Sequence, residues 1–484
     1  MKEEKIFNAI TEVPDELIEE AKNTPLRQKS KQPWLKWAAA AACMVLIITA
    51  VLNLPALKQS DTPPTTDTPS TADTPPTAAP TEPVTFDSQL IYQPLYKVTL
   101  PKAYSMYESR VDLIAQNPVE DTFLSSLTNF SYKTASEVLK ASKGNINFSP
   151  LSLYYALSLA TAGAEGKTAE ELNNLLGVSD KQTLLTQGGN LYRRLYSDNE
   201  LAKIKVANSL WINNLAGIRQ DFVKNAAESF YAESYNIDYK DIRTKELMKS
   251  WVKDNTGGTV TPVIELDPNE LMSIMNTIYF SAQWTDKFDE KDTKKGVFYT
   301  DGKTQVKCDF MRRDEAESMY YKGSNFTRAT LGLSTAHMTF VLPDEGVSLD
   351  EFLSSEASLK SALEGGEENM IYVNWQLPKF SFGSEVELKE PLKKLGVNTA
   401  FSGEADFRGI SSEKAFITSL SQNTHIGIDE TGVTAAAFTS LGYGMGGPEQ
   451  KYADMILNRP FIFAIYTGNG TPLFMGVCRN PAQS

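Results

Sequence analysis

Residues Ile426–Pro448 read IGIDETGVTAAAFTSLGYGMGGP, and the interpretation of this stretch governs that of the whole chain. Ile426 and Ile428 alternate with Gly427 and Asp429, the period-two spacing of a strand. Asp429 and Glu430 lead to Thr431-Gly432, where glycine permits backbone geometries that other residues resist. From Val433 to Ser440 there is neither a charge nor a proline. Composition alone leaves two readings open here, a small-residue helical turn or a flexible loop. Further on, Leu441, Tyr443 and Met445 alternate with Gly442, Gly444 and Gly446, which keeps the apolar set on one face.

Outward from this stretch, Phe461–Tyr466 and Leu473–Val477 read as two strands joined by the turn Thr467-Gly468-Asn469-Gly470. Met272–Phe280 and Met338–Leu342 read as buried strands. Residues 121–141 carry apolar side chains at helical spacing until Gly144 breaks the run. Ser149-Pro150-Leu151-Ser152 opens another helix, with Ser149 or Ser152 as cap and Pro150 suited to the first turn. Thr168 and Glu171 predict a capping box for the next helix. Helical and strand patterns alternate without repeats from about Asp112, which predicts one α+β domain over 112–484.

A net charge of −13 argues against binding nucleic acid through its phosphates, which runs on Lys and Arg, and fits a self-repelling soluble surface. Cys43 lies in an apolar run, and Cys308 and Cys478 are far apart in sequence. That is neither a disulfide framework nor a zinc spacing, and the latter two read as small buried hydrophobes.

The N-terminal portion has a different character. Residues 1–33 are short and charged, a cytoplasmic segment in this reading. Trp34–Leu54, WLKWAAAAACMVLIITAVLNL, approaches the length of a membrane-spanning helix. Arg27, Lys29, Lys31 and Lys36 crowd its N-terminal side, and Lys58 stands nearly alone after it. The positive-inside rule then leaves the N-terminus in the cytoplasm and the rest outside, as a single-pass membrane protein. A cleaved signal peptide fits less well, because its charged leader would be unusually long. A lipoprotein signal ending at Cys43 fits less well too, since the apolar run continues past that residue. Residues 55–86 form a disordered Pro/Thr-rich linker in which Asp-Thr-Pro recurs at 61, 67 and 73. Proline fixes φ and removes donors, so the expectation is a semi-extended stalk at about 3 Å per residue. Residues 87–111 connect it to the domain.

Catalytic chemistry is hard to find. A hydrolase needs a nucleophile, a base and a group that orients the base. The chain has only two histidines, His337 and His425, too few for a metal site, and they read as ring-packing or strand-edge residues. It lacks Gly-x-Ser-x-Gly, His-Glu-x-x-His and a phosphate-cradling glycine loop. Ser411-Ser412-Glu413-Lys414 matches Ser-x-x-Lys without its partner motifs. The expectation is a protein that is not an enzyme and carries no metal and no cofactor.

Asp429-Glu430-Thr431-Gly432-Val433-Thr434-Ala435-Ala436-Ala437 resembles the hinge of inhibitory serpins, and other segments resemble serpin landmarks in family order. These are Asn145–Ser152, Ala207–Trp211, Trp251–Gly258, Asn276–Phe280 with Trp284, Leu377–Phe380, and Asn458–Phe461 with Leu473–Gly476. Together they cover about 110–482, and the chain resembles a bacterial serpin of inhibitory type. The resemblance implies three β-sheets, about nine helices and an exposed reactive loop, here preceded by one transmembrane helix. It implies a monomer whose partner is a target serine protease, held in a covalent complex. In such a suicide substrate the cut loop enters the central sheet as a new strand. Energy stored in the native fold is thereby released.

The hinge is then Glu430, Gly432, Val433, Ala435, Ala436 and Ala437, with Val433, Ala435, Ala437 and Thr439 facing inward after insertion. Counting from Gly432 in family register places the cleaved bond at Gly446-Gly447. Counting back from Pro460 places it about three residues later, near Glu449. Met445-Gly446 and Tyr443-Gly444 remain open. Elastase- or chymotrypsin-like targets fit this loop, since no Arg or Lys lies between Thr431 and Gln450. Ser149, Pro150, Asn276 and Trp284 match structural positions beneath the sheet. Gln422 stands where many serpins carry histidine, within expected reach of Asn276 or Ser149. The alternative implied by the same resemblance is a non-inhibitory serpin acting as a cell-surface binding module.

Overall fold

Fourteen consecutive buried residues, Pro150–Gly163, make a helix with no polar face, which only the centre of a large domain can house. Ser149 caps it, its side chain accepting from the Ser152 amide, and Pro150 takes the first turn, as the sequence predicts. The computed structural model describes residues 94–96, 98–103, 110–300, 304–433 and 451–483, all within the unit Thr85–Ser484. The proposed membrane span at 34–54, the stalk and residues 1–33 lie outside the described residues. Among those described, no helix is long and apolar enough to cross a membrane.

The expected helix at 121–141 is present as Asp121–Ala141, burying Phe123, Leu127, Phe130 and Val138 along one face. Asp121 in its first turn and Lys140 in its last suit the helix dipole. The expected capping box fails. Glu165 is the N-cap of the helix Gly166–Leu176, and Thr168 and Glu171 lie inside it. Thr168 Oγ1 accepts from the Asp406 amide at 2.9 Å, and Glu171 accepts from the amides of Asn398 and Thr399. Both side chains serve distant partners, which leaves neither to cap its own helix.

Two hydrogen-bonded sheets hold the strands. The first runs β1 (Pro94–Tyr96), β3 (Ala232–Ile237), β2 (Ala202–Asn213), β4 (Met272–Gln283), β7 (Gly432–Val433), β6 (Ser421–Asp429), β5 (Phe380–Glu387), in that spatial order. Its inner face lies over the buried helix. The helix Ile242–Asn255 covers the outer face, burying Trp251 and Val252 beside Trp211 and Tyr239.

The second sheet has nine strands and contains the predicted pair as Phe461–Thr467 and Pro472–Cys478. Three sheets are expected and two occur among the described residues. The cause is Gln305–Lys322, an 18-residue strand that pairs first with Lys294–Tyr299 and then with Phe326–Gly332 on one edge. Its other edge pairs with Asn369–Pro378, so one continuous ladder joins what would otherwise be two sheets. Ten α-helices occur among the described residues, against about nine expected.

Cys308 and Cys478 are reduced and buried, as the sequence reading holds. Burial pushes the Cys308 thiol up to about 11, which makes it a poor nucleophile. His337 stacks on Tyr466 at 5.3 Å, and His425 meets Ser381 Oγ at 3.1 Å. Ser411 Oγ donates to the Gly217 carbonyl at 3.0 Å, which ties two distant segments together.

Candidate functional site

The hinge stretch folds as a hairpin that pushes its second arm into the middle of the first sheet. Asp429 pairs with Gly432 across the two-residue turn Glu430-Thr431. Asp429 Oδ1 accepts from the amides of Thr431 at 2.8 Å and Gly432 at 3.2 Å, so one short side chain folds the turn. β7 then lies antiparallel to both neighbours, with Val433 opposite Ala282 of β4 and Ile428 of β6. Val433 is 2% exposed. Gly432 has φ +155°, and a Cβ there would sit 2.2 Å from the Ala282 carbonyl oxygen. No larger residue fits that close approach without moving β4.

Trp284 holds the turn from the β4 side. Its amide donates to the Thr431 carbonyl at 3.0 Å and its indole Nε1 to the Asp429 carbonyl at 2.9 Å. The Phe288 amide donates to the Glu430 carbonyl at 3.1 Å. The Glu430 carboxylate, in a residue 7% exposed, accepts from Lys379 Nζ and from Thr293 Oγ1, each at 2.7 Å. Burial opposes charge on both partners. The pairing prevails, holding the Glu430 carboxyl below its ordinary range and the Lys379 ammonium above its own.

A group whose folded pKa is depressed contributes stability above its unfolded pKa and loses it as pH falls through the folded value. The latch should therefore weaken below about pH 4.5, the ordinary Glu value. The acid limb of a urea-midpoint against pH curve should be shallower in Glu430→Gln than in the natural protein. Identical limbs would show that Lys379 and Glu430 do not couple in solution.

A second polar group lies midway down the sheet. Gln422 of β6 accepts from the Ser149 amide at 2.8 Å and donates to the Ser149 carbonyl at 2.9 Å, closing a two-bond ring. Ser149 Oγ donates to the Leu473 carbonyl at 2.7 Å. Of the two partners the sequence allows for Gln422, the fold uses Ser149. Asn276 instead accepts from Ser152 Oγ and donates to Asn208 Oδ1, and Asn208 Nδ2 donates to the Phe230 carbonyl at 2.7 Å. This line ties β4 and β2 to the central helix and to the helix Gln220–Phe230.

The fold therefore brings Glu430, Gly432, Val433 and Trp284 together at the head of the sheet, and Ser149, Pro150, Asn276 and Gln422 beneath its middle. Ala435, Ala436, Ala437, Tyr443, Met445, Gly446 and Gly447 lie outside the described residues. Sequence reading assigns no role to Thr293, gives Lys379 and Asn208 only as members of family segments, and offers Ser152 only as an alternative helix cap. A signal for Lys379 exists, a lone cation in Leu377-Pro378-Lys379-Phe380 facing an acidic hinge.

This architecture has known relatives. A family profile described as serpin (serine protease inhibitor) matches residues 125–481. The chain belongs to the serpin family. It is 31% identical over 378 residues to a protein of Mus musculus named as a serine protease inhibitor, covering 74% of this chain and 89% of that one. The crystal structure of Serpin48 from the insect Tenebrio molitor superposes with a TM-score of 0.68 at 30% identity, over 75% of this chain and 98% of that one. Thyroxine-binding globulin, solved in complex with thyroxine, superposes at 0.65 with 25% identity, over 74% of this serpin and 99% of that one. Named protease inhibitors among the relatives support serine protease inhibition at the level of the family.

Proposed function

We propose that this serpin inhibits elastase- or chymotrypsin-like serine endopeptidases as a suicide substrate. The observation that carries the reading is β7, whose described residues Gly432–Val433 lodge between β4 of twelve residues and β6 of nine. A strand begun between two longer neighbours marks where a cut loop would continue. In continued register Ala435 comes level with Phe280 and Ile426, Ala437 with Ile278 and Thr424, and Thr439 with Asn276 and Gln422. Phe280, Ile426, Ile278, Thr424 and Gln422 are buried, so the small uncharged loop residues suit the space.

In the proposed reaction the protease serine attacks the carbonyl of the bond near Gly446-Gly447, the amine leaves, and an ester joins enzyme to loop. Insertion then competes with hydrolysis of that ester. Trapping results when the strand enters first. This serpin donates a substrate bond and supplies no catalytic group.

The Trp34–Leu54 segment is proposed to anchor a monomeric domain outside a bacterial cell. Its N-terminus would be cytoplasmic and its charged flank inside.

Incubation with elastase and with chymotrypsin, followed by denaturing gels, tests the reading. The expected product is an SDS-resistant band at the summed mass of protease and serpin fragment. Cleavage that yields no such band and no gain in heat resistance would instead favour a surface binding module.

A further inference from the structure

The two arms that flank β7 at the head of the sheet are joined again at its foot. Glu270 stands just before β4, and its carboxylate accepts from Thr418 Oγ1 at 3.4 Å. Thr418 lies in the segment that leads into β6. Glu270 belongs firmly to the β4 side. Its carbonyl accepts from Asn213 Nδ2 at the end of β2 at 2.9 Å, and the Asn213 amide donates to the Leu271 carbonyl at 3.0 Å. Thr418 belongs to the other side, where Leu388 next to β5 donates to the Leu420 carbonyl at 2.8 Å. The side-chain contact therefore crosses the line along which a new strand would enter.

We infer that Glu270 and Thr418 form a bolt across the foot of this slot, one that must part before the last residues of a cut loop can seat. The inference rests on the inhibitory reading above. In continued register Tyr443 comes level with Met272, at the start of β4. The candidate cleaved bonds at 445–447 lie just beyond that level, so insertion up to the bond runs into the bolt. Neighbouring strands stand about 4.8 Å apart, and an inserted strand doubles the separation of its flanks. Such widening pulls the two flanking segments apart and strains a contact of 3.4 Å. Burial pushes the Glu270 carboxyl above its ordinary range and Asp267 adds to this, while the Ser273 and Thr418 hydroxyls oppose it. The bolt thus joins a half-buried carboxylate to an exposed hydroxyl at the rim of the sheet, and opening exposes the carboxylate further.

Two readouts on Glu270→Ala, Thr418→Val and the double variant test this. The first is deuterium uptake at Met272–Asn276 in the uncut protein. The second is the rate and yield of covalent complex with elastase. Each single variant is expected to speed foot opening by about fivefold and to raise the yield of complex. The double variant should add little, since both singles remove one contact. Unchanged uptake in Thr418→Val, which keeps the side-chain shape, overturns the bolt. So does faster uptake with no change in complex yield, or full additivity in the double variant. If the natural protein forms no complex at all, the inhibitory reading falls, and uptake in the uncut variants alone decides whether the contact closes the foot.

Discussion

In a Val433→Arg variant the covalent complex with elastase is expected to vanish while loop cleavage continues at the natural rate. Val433 is 2% exposed between Ala282 at 0% and Ile428 at 3%, with nothing polar opposite it in either neighbouring strand. An arginine seated there would bring an unpaired charge into an apolar slot, at a cost of several kcal/mol. The uncut protein has an escape, because Gly432–Val433 at the start of β7 can withdraw and leave the guanidinium in water. The inserted form has none, since every later residue of the strand depends on the first one entering. The penalty therefore falls on insertion, and at about 1.4 kcal/mol per factor of ten it slows that step by a hundredfold or more. Hydrolysis of the acyl-enzyme then wins. The cleaved bond lies well away from position 433, so attack itself is unaffected. Gel quantification of complex against cleaved serpin gives the ratio directly. A variant that traps as efficiently as the natural protein would refute insertion through β7.

What the sequence makes legible follows the reach of the interactions concerned. The helix Asp121–Ala141 is readable because apolar spacing and the break at Gly144 are local, and its observed ends coincide with the reading. The cap at Ser149 is readable for the same reason. The pattern Thr168-x-x-Glu171 looks just as local and misleads, because its side chains bind Asp406, Asn398 and Thr399 on a distant segment. The hinge is legible as chemistry, since glycine at 432 and small uncharged neighbours can be read directly. That it already begins a strand is not legible, as this depends on the register between Val433 and Ala282. The latch from Lys379 to Glu430 and the bolt from Glu270 to Thr418 likewise join segments that only the sheet order brings together. The number of sheets escapes a sequence reading because nothing in Gln305–Lys322 marks where one partner strand gives way to the next.

Replacing Gln422 by leucine should cost the native state about 1–3 kcal/mol, because it strips the buried Ser149 amide of its partner and removes one of two donors to the Ser149 carbonyl. The Ser149 amide and carbonyl both bond to the Gln422 side chain, in a setting where Ser149 is 0% and Gln422 4% exposed. The amide then bears the full penalty of a buried orphan, while the carbonyl keeps the Leu153 amide at 3.2 Å. Leucine fills nearly the same volume, which keeps a cavity from confusing the result. For a domain of this size the expected drop in Tm is roughly 2–4 °C. Gln422→His supplies the internal comparison, since one imidazole cannot both accept from the amide and donate to the carbonyl of a single residue in this geometry. It should recover about half the loss. The site also flanks the slot, level with Thr439 in continued register, so loosening it weakens the closed sheet where a strand would part it. Gln422→Leu should therefore lose inhibitory capacity on storage faster than the natural protein, followed as complex yield against time at 37 °C. An unchanged Tm in Gln422→Leu would mean that the Gln422–Ser149 ring contributes nothing beyond filling space.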